Sequence, residues 1–443
     1  PRMKPVYRRS ADRPALQQPN VTARAKRIVV SGQVQGVGFR PFIYRHAQTH
    51  RLGGWVRNRS GRVEIHLQGE PGDMDRFVAT LVECAPPLSR PQLESIEETT
   101  WRDIDGFTIR QSQADEAADV HLPPDLFTCD DCLRELNDPA DRRYRYPFIN
   151  CTQCGPRYSL IRALPYDRPG TGMSAFALCE TCAAEYTDPT DRRYHAEPVA
   201  CGECGPTLTY AEDGFADISG DAPALEAALA TLGQGKLLAI KGIGGYHLAC
   251  DAGNETAVNR LRASKPRPHK PLAIMFPTPA EAPLAEVEKY LQVDSEAAQL
   301  LTSPARPIVL LPARTDCSLP AAIAPGLNEI GAMLPYSPLH HLLLNDFGAP
   351  LVMTSANLTG EPVLSDNHEV EQRLAHVLDA CLHHDRPIVH AVDDSLFRII
   401  AGRPRPLRLG RGVAPLEIDL PFELERTLLA VGAHMKNTIA LAW

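Results

Sequence analysis

The chain has 443 residues, 44% of them hydrophobic and 23% charged, with a formal net charge of −8. That length exceeds what one core sustains and predicts roughly two to four domains. No run of 18 apolar residues occurs, which argues against a membrane-spanning helix, and the negative balance argues against a dedicated nucleic-acid binder, whose affinity rests on neutralising phosphates.

Residues 1–24 are basic and proline-rich without an apolar stretch, so they predict a disordered leader and no secretory signal. Residues 25–112 then form a first module. Lys26–Val30 predicts a strand, and the glycine-rich turn Gly32–Gly38 follows it. A helix is expected from about Pro41 to Gly53. Trp55–Asn58 and the alternating Arg62–Leu67 predict a hairpin around Ser60–Gly61. A helix over Asp73–Glu83 and a closing strand over Phe107–Arg110 complete a βαββαβ order, the ferredoxin-like sandwich.

A glycine turn that opens a helix presents backbone N–H groups to an anion. Gln35, Gly36, Val37, Gly38 and Phe39 are thus a candidate phosphate cradle, with Arg40 at the helix start as a guanidinium clamp. Gly32-x-Val34-Gln35-Gly36-Val37-x-Phe39-Arg40, followed by Gly54-Trp55-Val56-x-Asn58, resembles the acylphosphatase signature across the module. The resemblance implies hydrolysis of a carboxyl–phosphate mixed anhydride, with Arg40 binding the phosphate and Asn58 orienting the attacking water.

Residues 119–210 repeat with a period of 50. Cys129-x-x-Cys132 precedes Cys151-x-x-Cys154 by 18 residues, and Cys179-x-x-Cys182 precedes Cys201-x-x-Cys204 by the same interval. Asp138-Pro139-x-Asp141-Arg142-Arg143-Tyr144 recurs as Asp188-Pro189-x-Asp191-Arg192-Arg193-Tyr194. Paired C-x-x-C knuckles place four thiolates on one tetrahedral Zn²⁺, and filled shells leave no open position for catalysis. Two structural Zn²⁺ are expected, with 129/132/151/154 and 179/182/201/204 the simplest sets and a crossed pairing open. Reduced thiolates point to a cytoplasmic location. Cys84, Cys250, Cys317 and Cys381 are expected in the core, and His195 either lines a channel or lies on the surface.

Over 221–412 helices alternate with apolar strands. Helices are expected at Ala224–Leu232, Glu255–Ser264 and Leu339–Asn345, and strands at Leu237–Ile240, Leu272–Phe276, Pro307–Leu311 and Leu351–Met353, making an α/β domain around a twisted sheet. Lys241, Lys265, Arg267 and Lys270 stand beside strand ends, as do Thr354, Ser355 and Asn357. Basic groups with small hydroxyls there suit a triphosphate. No G-x-x-x-x-G-K-[ST] loop is present, so γ-phosphoryl transfer on that scaffold is not expected.

The segments Lys241-Gly242-x-Gly244-Gly245-Tyr246, Lys265-x-Arg267-Pro268-x-Lys270-Pro271, Leu334-Pro335-Tyr336-Ser337-Pro338 and Thr354-Ser355-Ala356-Asn357 resemble the YrdC family. That resemblance implies ATP with Mg²⁺ as substrate and attack of a carbamate oxygen on the α-phosphate. Lys241, Tyr246, Lys265, Arg267, Lys270, Ser337, Thr354, Ser355 and Asn357 would be the nucleotide- or substrate-binding residues.

In order, an acylphosphatase-like module, a doubled four-cysteine ribbon and a YrdC-like domain are similar to the hydrogenase maturation carbamoyltransferase (HypF) family. The resemblance implies that carbamoyl phosphate and ATP yield carbamoyl adenylate. The carbamoyl group then passes to the C-terminal cysteine of a HypE-type maturation protein for cyanide synthesis. The family's last domain resembles sugar-kinase and actin-type ATPases. Residues 425–443 resemble its opening hairpin, Leu428–Val431 and Thr438–Leu441 around His434–Asn437, and the rest of that domain is expected to be lacking. Gly432-Ala433-His434-Met435-Lys436 departs from the family, where an acidic residue and leucine more often precede the lysine. Two other classes stay open: an RNA- or tRNA-associated YrdC-type protein, and an inactive scaffold docking maturation partners.

Overall fold

The computed structural model describes residues 24–59, 61–86, 88–110, 122–164, 166–265, 270–358, 360–418, 420–432 and 437–442. The leader expected over 1–24 therefore falls, Arg24 apart, outside the described residues, as do Arg267, Pro268 and the turn residues His434, Met435 and Lys436. By packing, the chain divides into two units, one of residues 1–34 and 39–119 and the other of 35–38 and 120–443. Among the described residues no helix is long and apolar enough to cross a membrane.

The first unit runs β1 (Arg24–Gln33), α1 (Phe39–Thr49), β2 (Gly53–Arg59), β3 (Arg62–Gly69), α2 (Pro71–Thr80), β4 (Arg90–Thr99) and β5 (Phe107–Ile109). Its sheet has the order β4-β1-β3-β2-β5. Ile28 and Val30 of β1, with Val63, Ile65 and Leu67 of β3, are buried, and so are Phe39, Ile43 and Ala47 of α1 and Met74 and Phe77 of α2. Burying such side chains contributes about 1.5–3 kcal/mol each. At Gly54 the backbone has φ +135°, and a Cβ would lie 1.9 Å from the His66 carbonyl oxygen, so only glycine allows β2 to approach β3 this closely.

The ferredoxin-like order holds, but its last strand is β4, which the sequence reading did not assign. The closing strand expected over Phe107–Arg110 is β5, an added parallel strand beside β2. β4 escapes pattern reading because Leu93 and Ile96 are both exposed on this edge strand. Its backbone pairing with β1, from Ala25↔Thr99 to Gln33↔Arg90, holds it in place.

The second unit opens with the repeat: α3 (Asp130–Asn137) and α4 (Glu180–Thr187) each begin just after the first cysteine of a set. Then come β6 (Leu208–Glu212), β7 (Ile218–Ser219), α5 (Asp221–Gly233), β8 (Leu238–Lys241), β9 (Tyr246–Asp251), α6 (Glu255–Ser264) and β10 (Ala273–Met275). They are followed by α7 (Ala285–Glu288), α8 (Ser295–Thr302), β11 (Ile308–Pro312), β12 (Glu329–Met333), α9 (Pro338–Phe347) and β13 (Leu351–Ser355). Last in the large sheet come α10 (Asn367–Leu374), β14 (Ala380–His384), β15 (Leu396–Ile400) and β16 (Arg403–Arg408). Beyond it, β17 (Leu428–Ala430) and β18 (Ala440–Ala442) pair antiparallel from Leu428↔Ala442 to Ala430↔Ala440, the expected hairpin with a first strand one residue shorter and a second strand that starts two residues later and ends one later.

Among the described residues, eleven strands form one mixed sheet in the order β16-β15-β11-β12-β10-β13-β9-β8-β14-β6-β7. Alternate residues feed opposite faces, as a pleated strand requires. Leu238 and Ile240, with Leu351 and Met353, face α5, α9 and the cysteine ribbon in one apolar cluster. Ala239 and Val352 face α6, α8 and α10 in the other. The ribbon is thereby continuous with the core on one side of the sheet. Cys250 and Cys381 are buried as expected, whereas Cys317 is half-buried and Cys84 is exposed in the turn after α2, where the sequence reading expected core.

Candidate functional site

In the first unit Arg40 is the second residue of α1 and half-buried, and Asn58 lies on β2 opposite Val63. Asn58 is 8% exposed, and its Oδ1 is buried with no hydrogen-bond partner among the described residues. An unsatisfied buried carbonyl costs about 1–3 kcal/mol, so this acceptor is suited to a ligand or water. Gln35–Gly38, the cradle segment, packs within the second unit. The Arg157 guanidinium, 1% exposed, donates through Nε to the Gly36 carbonyl at 3.0 Å and through its other nitrogens to the carbonyls of Cys151, Thr152, Cys154 and Pro156. Gly38 has φ +75°, and a Cβ there would lie 2.9 Å from Thr152 Oγ1.

The eight C-x-x-C cysteines gather as 129/132/151/154 and 179/182/201/204, each within its own repeat. Neighbouring sulfurs lie 3.6 Å (Cys129–Cys151), 3.5 Å (Cys132–Cys154) and 3.8 Å (Cys151–Cys154) apart in the first set. In the second set Cys179–Cys201 and Cys201–Cys204 are each 3.8 Å apart. A tetrahedron with metal–sulfur bonds of roughly 2.3 Å has edges of about 3.8 Å, so both sets fit structural zinc. The crossed pairing is excluded by this geometry. His195, which interrupts the repeat, is half-buried between Tyr186 and Tyr194 and takes the left-handed φ of +49° where Arg145 of the first repeat has +56°. The two copies keep one backbone path despite the different side chains.

On the large sheet the predicted residues fall into two groups on either side of the start of β9. Lys265 caps the C-terminus of α6, and its Nζ donates to Asn357 Oδ1 at 3.1 Å and to the Ser355 carbonyl. Ser355 Oγ donates to the same Asn357 oxygen at 3.1 Å, and Asn357 Nδ2 donates to the Glu361 carbonyl at 2.6 Å. Thr354 and Lys270 line a cleft with Lys265. Lys265 and Asn357 also line a cavity of about 250 Å³, walled by Leu248, Leu374 and Val377.

Lys241 and Tyr246 form the second group. Lys241 Nζ donates to Asn367 Oδ1 at 2.7 Å and to the His384 carbonyl at 2.9 Å, and Tyr246 Oη donates to the same Asn367 oxygen at 2.8 Å. Burial, aided by the positive Arg386, pushes the Lys241 ammonium down to about 8. Ser337 stands apart, its hydroxyl capping α9 by accepting from the His340 N–H at 3.3 Å. Arg267 lies outside the described residues.

A third group went unread in the sequence. Asp394 accepts from Arg411 Nε at 2.7 Å and His247 Nε2 at 2.9 Å, and the Arg411 guanidinium is centred 3.4 Å over the Tyr336 ring. His247 pairs with Ser355 across β9 and β13, which brings this ion pair beside the first group. Three residues from separate segments carry no shared spacing that a sequence pattern could have shown.

Three family models match the chain. The acylphosphatase model covers residues 26–109, the HypF finger covers 128–161 and 178–211, and the model described as telomere recombination (Sua5, YciO, YrdC) covers 230–410. The chain is 48% identical over 415 residues to carbamoyltransferase HypF of Synechocystis sp., covering 94% of this chain and 53% of that one. It is 47% identical over 421 residues to the HypF of Rhodobacter capsulatus, covering 94% and 54%. A crystal structure of full-length HypF in a phosphate- and nucleotide-bound form superposes with a TM-score of 0.88 at 44% identity, covering 95% of this chain and 54% of that chain. The chain thus spans about half the length of the curated relatives it matches.

Proposed function

The chain belongs to the HypF carbamoyltransferase family, and we propose that it carries the steps that turn carbamoyl phosphate and ATP into carbamoyl adenylate. The observation that carries this reading is the grouping of Lys265, Ser355 and Asn357 at the ends of α6 and β13 beside a cavity. An ammonium, a hydroxyl and an amide converge there, which suits a polyphosphate.

In the first step Arg40 holds the phosphate of carbamoyl phosphate, and Asn58 orients a water through its unsatisfied Oδ1. Water adds and the carboxyl–phosphate bond breaks, giving carbamate and inorganic phosphate. In the second, a carbamate oxygen attacks the α-phosphorus of ATP and pyrophosphate leaves. Lys265, Arg267 and Lys241 neutralise the charge that the transition state spreads over the phosphate oxygens. Mg²⁺ arriving with ATP adds to that neutralisation. Enclosure is chemically necessary because free carbamate decomposes in water.

The clusters of four cysteines hold one Zn²⁺ each and brace the sheet's ribbon-covered face. In this reading the carbamoyl group is destined for a HypE-type maturation protein, and the protein works in the cytoplasm. The test is pyrophosphate exchange into ATP. Labelled pyrophosphate should enter ATP only when carbamoyl phosphate is supplied, and exchange that ignores carbamoyl phosphate would refute the coupling of the two steps.

A further inference from the structure

The arginine pairs of the two repeats do not serve their own cysteines. Arg142 of the first repeat donates to Cys179 Sγ at 3.5 Å and Cys182 Sγ at 3.3 Å, both ligands of the second set. Arg143 donates to Cys182 Sγ at 3.3 Å and to Glu185 Oε1 at 3.1 Å, and its Nε donates to the Ala200 carbonyl at 2.9 Å. The second repeat returns the contacts to the second cysteine, to the glutamate and to the backbone carbonyl. Arg192 donates to Cys132 Sγ at 3.3 Å and to Glu135 Oε1 at 3.0 Å, and Arg193 reaches Glu135 and the Asn150 carbonyl.

At the repeat period of 50, Arg142 on Cys182 and Arg143 on Glu185 are answered by Arg192 on Cys132 and Arg193 on Glu135. Arg143 and Arg193 are 1% and 5% exposed. Four thiolates on one Zn²⁺ leave two negative charges, and a half-buried glutamate stands next to them. The neutralising cations come from the other repeat.

We propose that each four-cysteine site is held by the arginines of the opposite repeat, so that metal retention depends on Arg142, 40 positions before Cys182, at one site and on Arg192, 60 positions after Cys132, at the other. This rests on the reading that both sets bind zinc. N–H groups donated to a metal-bound thiolate spread its charge, fix the sulfur's direction and oppose its protonation and departure. Removing such an outer contact typically lowers metal affinity about 10- to 100-fold. The crosswise arrangement makes the effect fall on the unexpected site.

The experiment uses the full zinc-loaded chain carrying Arg192→Gln or, as the mirror, Arg142→Gln. The side chains of these two arginines are 29% and 31% exposed, and losing them leaves the buried Arg143 and Arg193 in place. Each protein is challenged with graded EDTA, freed thiols are trapped with N-ethylmaleimide, and peptide mapping reports which cysteines were labelled. Arg192→Gln should expose Cys129, Cys132, Cys151 and Cys154 at a chelator concentration at least about tenfold lower than the unaltered chain. Cys179, Cys182, Cys201 and Cys204 should stay near their original threshold, and Arg142→Gln should reverse the pattern. If each variant instead releases its own repeat's cysteines first, or both thresholds stay unchanged, the proposal is overturned while zinc binding stands. If the unaltered chain holds no zinc and all eight cysteines label at once, the zinc reading fails and the proposal with it. Arg192→Lys, which keeps a charge but loses the fork, should recover only part of the retention.

Discussion

Replacing Asp394 with asparagine keeps the shape of a buried ion pair and removes one of its charges. The carboxylate accepts from Arg411 Nε at 2.7 Å and His247 Nε2 at 2.9 Å. Arg411 is 1% exposed, and its remaining nitrogens donate to the carbonyls of Ala305 at 3.1 Å and Arg306 at 2.8 Å. In the variant an amide N–H must face one of these two donors, and the guanidinium is left buried with only dipoles around it. Two unit charges about 4 Å apart attract by about 4 kcal/mol at an effective dielectric of 20. Breaking a buried pair by removing one partner typically costs about 3–5 kcal/mol.

We expect Asp394→Asn to lose about 3 kcal/mol, read as faster hydrogen exchange in Leu396–Ile400 and Arg403–Arg408 and a lower urea midpoint by circular dichroism. The acid dependence follows from the same pair. Burial alone would raise the Asp394 carboxyl, but Arg411 and His247 outweigh it and hold the group well below the usual carboxylate range. Its folded value lies below its unfolded value of about 4, so its stabilisation is complete above that pH and is lost as pH falls through the folded value. The gap between the original protein and the variant should therefore narrow in strong acid. Adding Arg411→Met to the variant should cost less than the two single losses summed, by about 1–3 kcal/mol. A variant that unfolds within about 0.5 kcal/mol of the original at neutral pH, the scatter of surface substitutions, would refute this account of the pair.

Substituting Lys265 and Arg267 by alanine together should weaken ATP binding by calorimetry at least about ten- to a hundredfold, or about 1.5–3 kcal/mol, and unchanged affinity would make the cluster a solvated rim. ATP affinity should also fall as pH rises through about 8, where the Lys241 ammonium loses its proton. Because that value is lowered from the ordinary lysine range, fold stability should rise over the same interval, and Lys241→Arg should flatten the affinity profile. Arg40→Ala should abolish acyl-phosphate hydrolysis, and Asn58→Ala should lower kcat more than it raises KM; full hydrolysis by Arg40→Ala would remove that module from the chemistry. Elemental analysis should return two zinc per chain, and chelation should loosen the ribbon-covered face of the sheet; one zinc or none would contradict the two four-cysteine sets.

Much of the site was legible because its residues sit close together in sequence. C-x-x-C spacing, the Gly32–Arg40 turn and Thr354–Asn357 each place their functional atoms within a few residues, so local geometry and chemistry coincide. Helices with strong apolar periodicity were equally plain, and α6 spans Glu255–Ser264 as its pattern predicts. β14 was not, because its buried residues include His383 and His384, which read as polar surface until Tyr246, Glu371 and the Gly242 carbonyl are placed beside them. β4 was hidden for the opposite reason, since an exposed edge strand owes its place to backbone hydrogen bonds, which carry no side-chain signature.

The amino-acid sequence alone determined which chemistry is present: eight thiolates in two sets, an arginine at a helix start, and lysines beside strand ends. Only the tertiary structure decided which partners these groups take. Arg142 and Arg192 face each other's cysteines, and Asp394 closes on Arg411 and His247 across distant segments. The physical reason is the range of the forces involved. Thiolate geometry and helix starts are set by neighbours along the chain, whereas a buried charge is stable only opposite a counter-charge, and folding brings that group from wherever the core requires it.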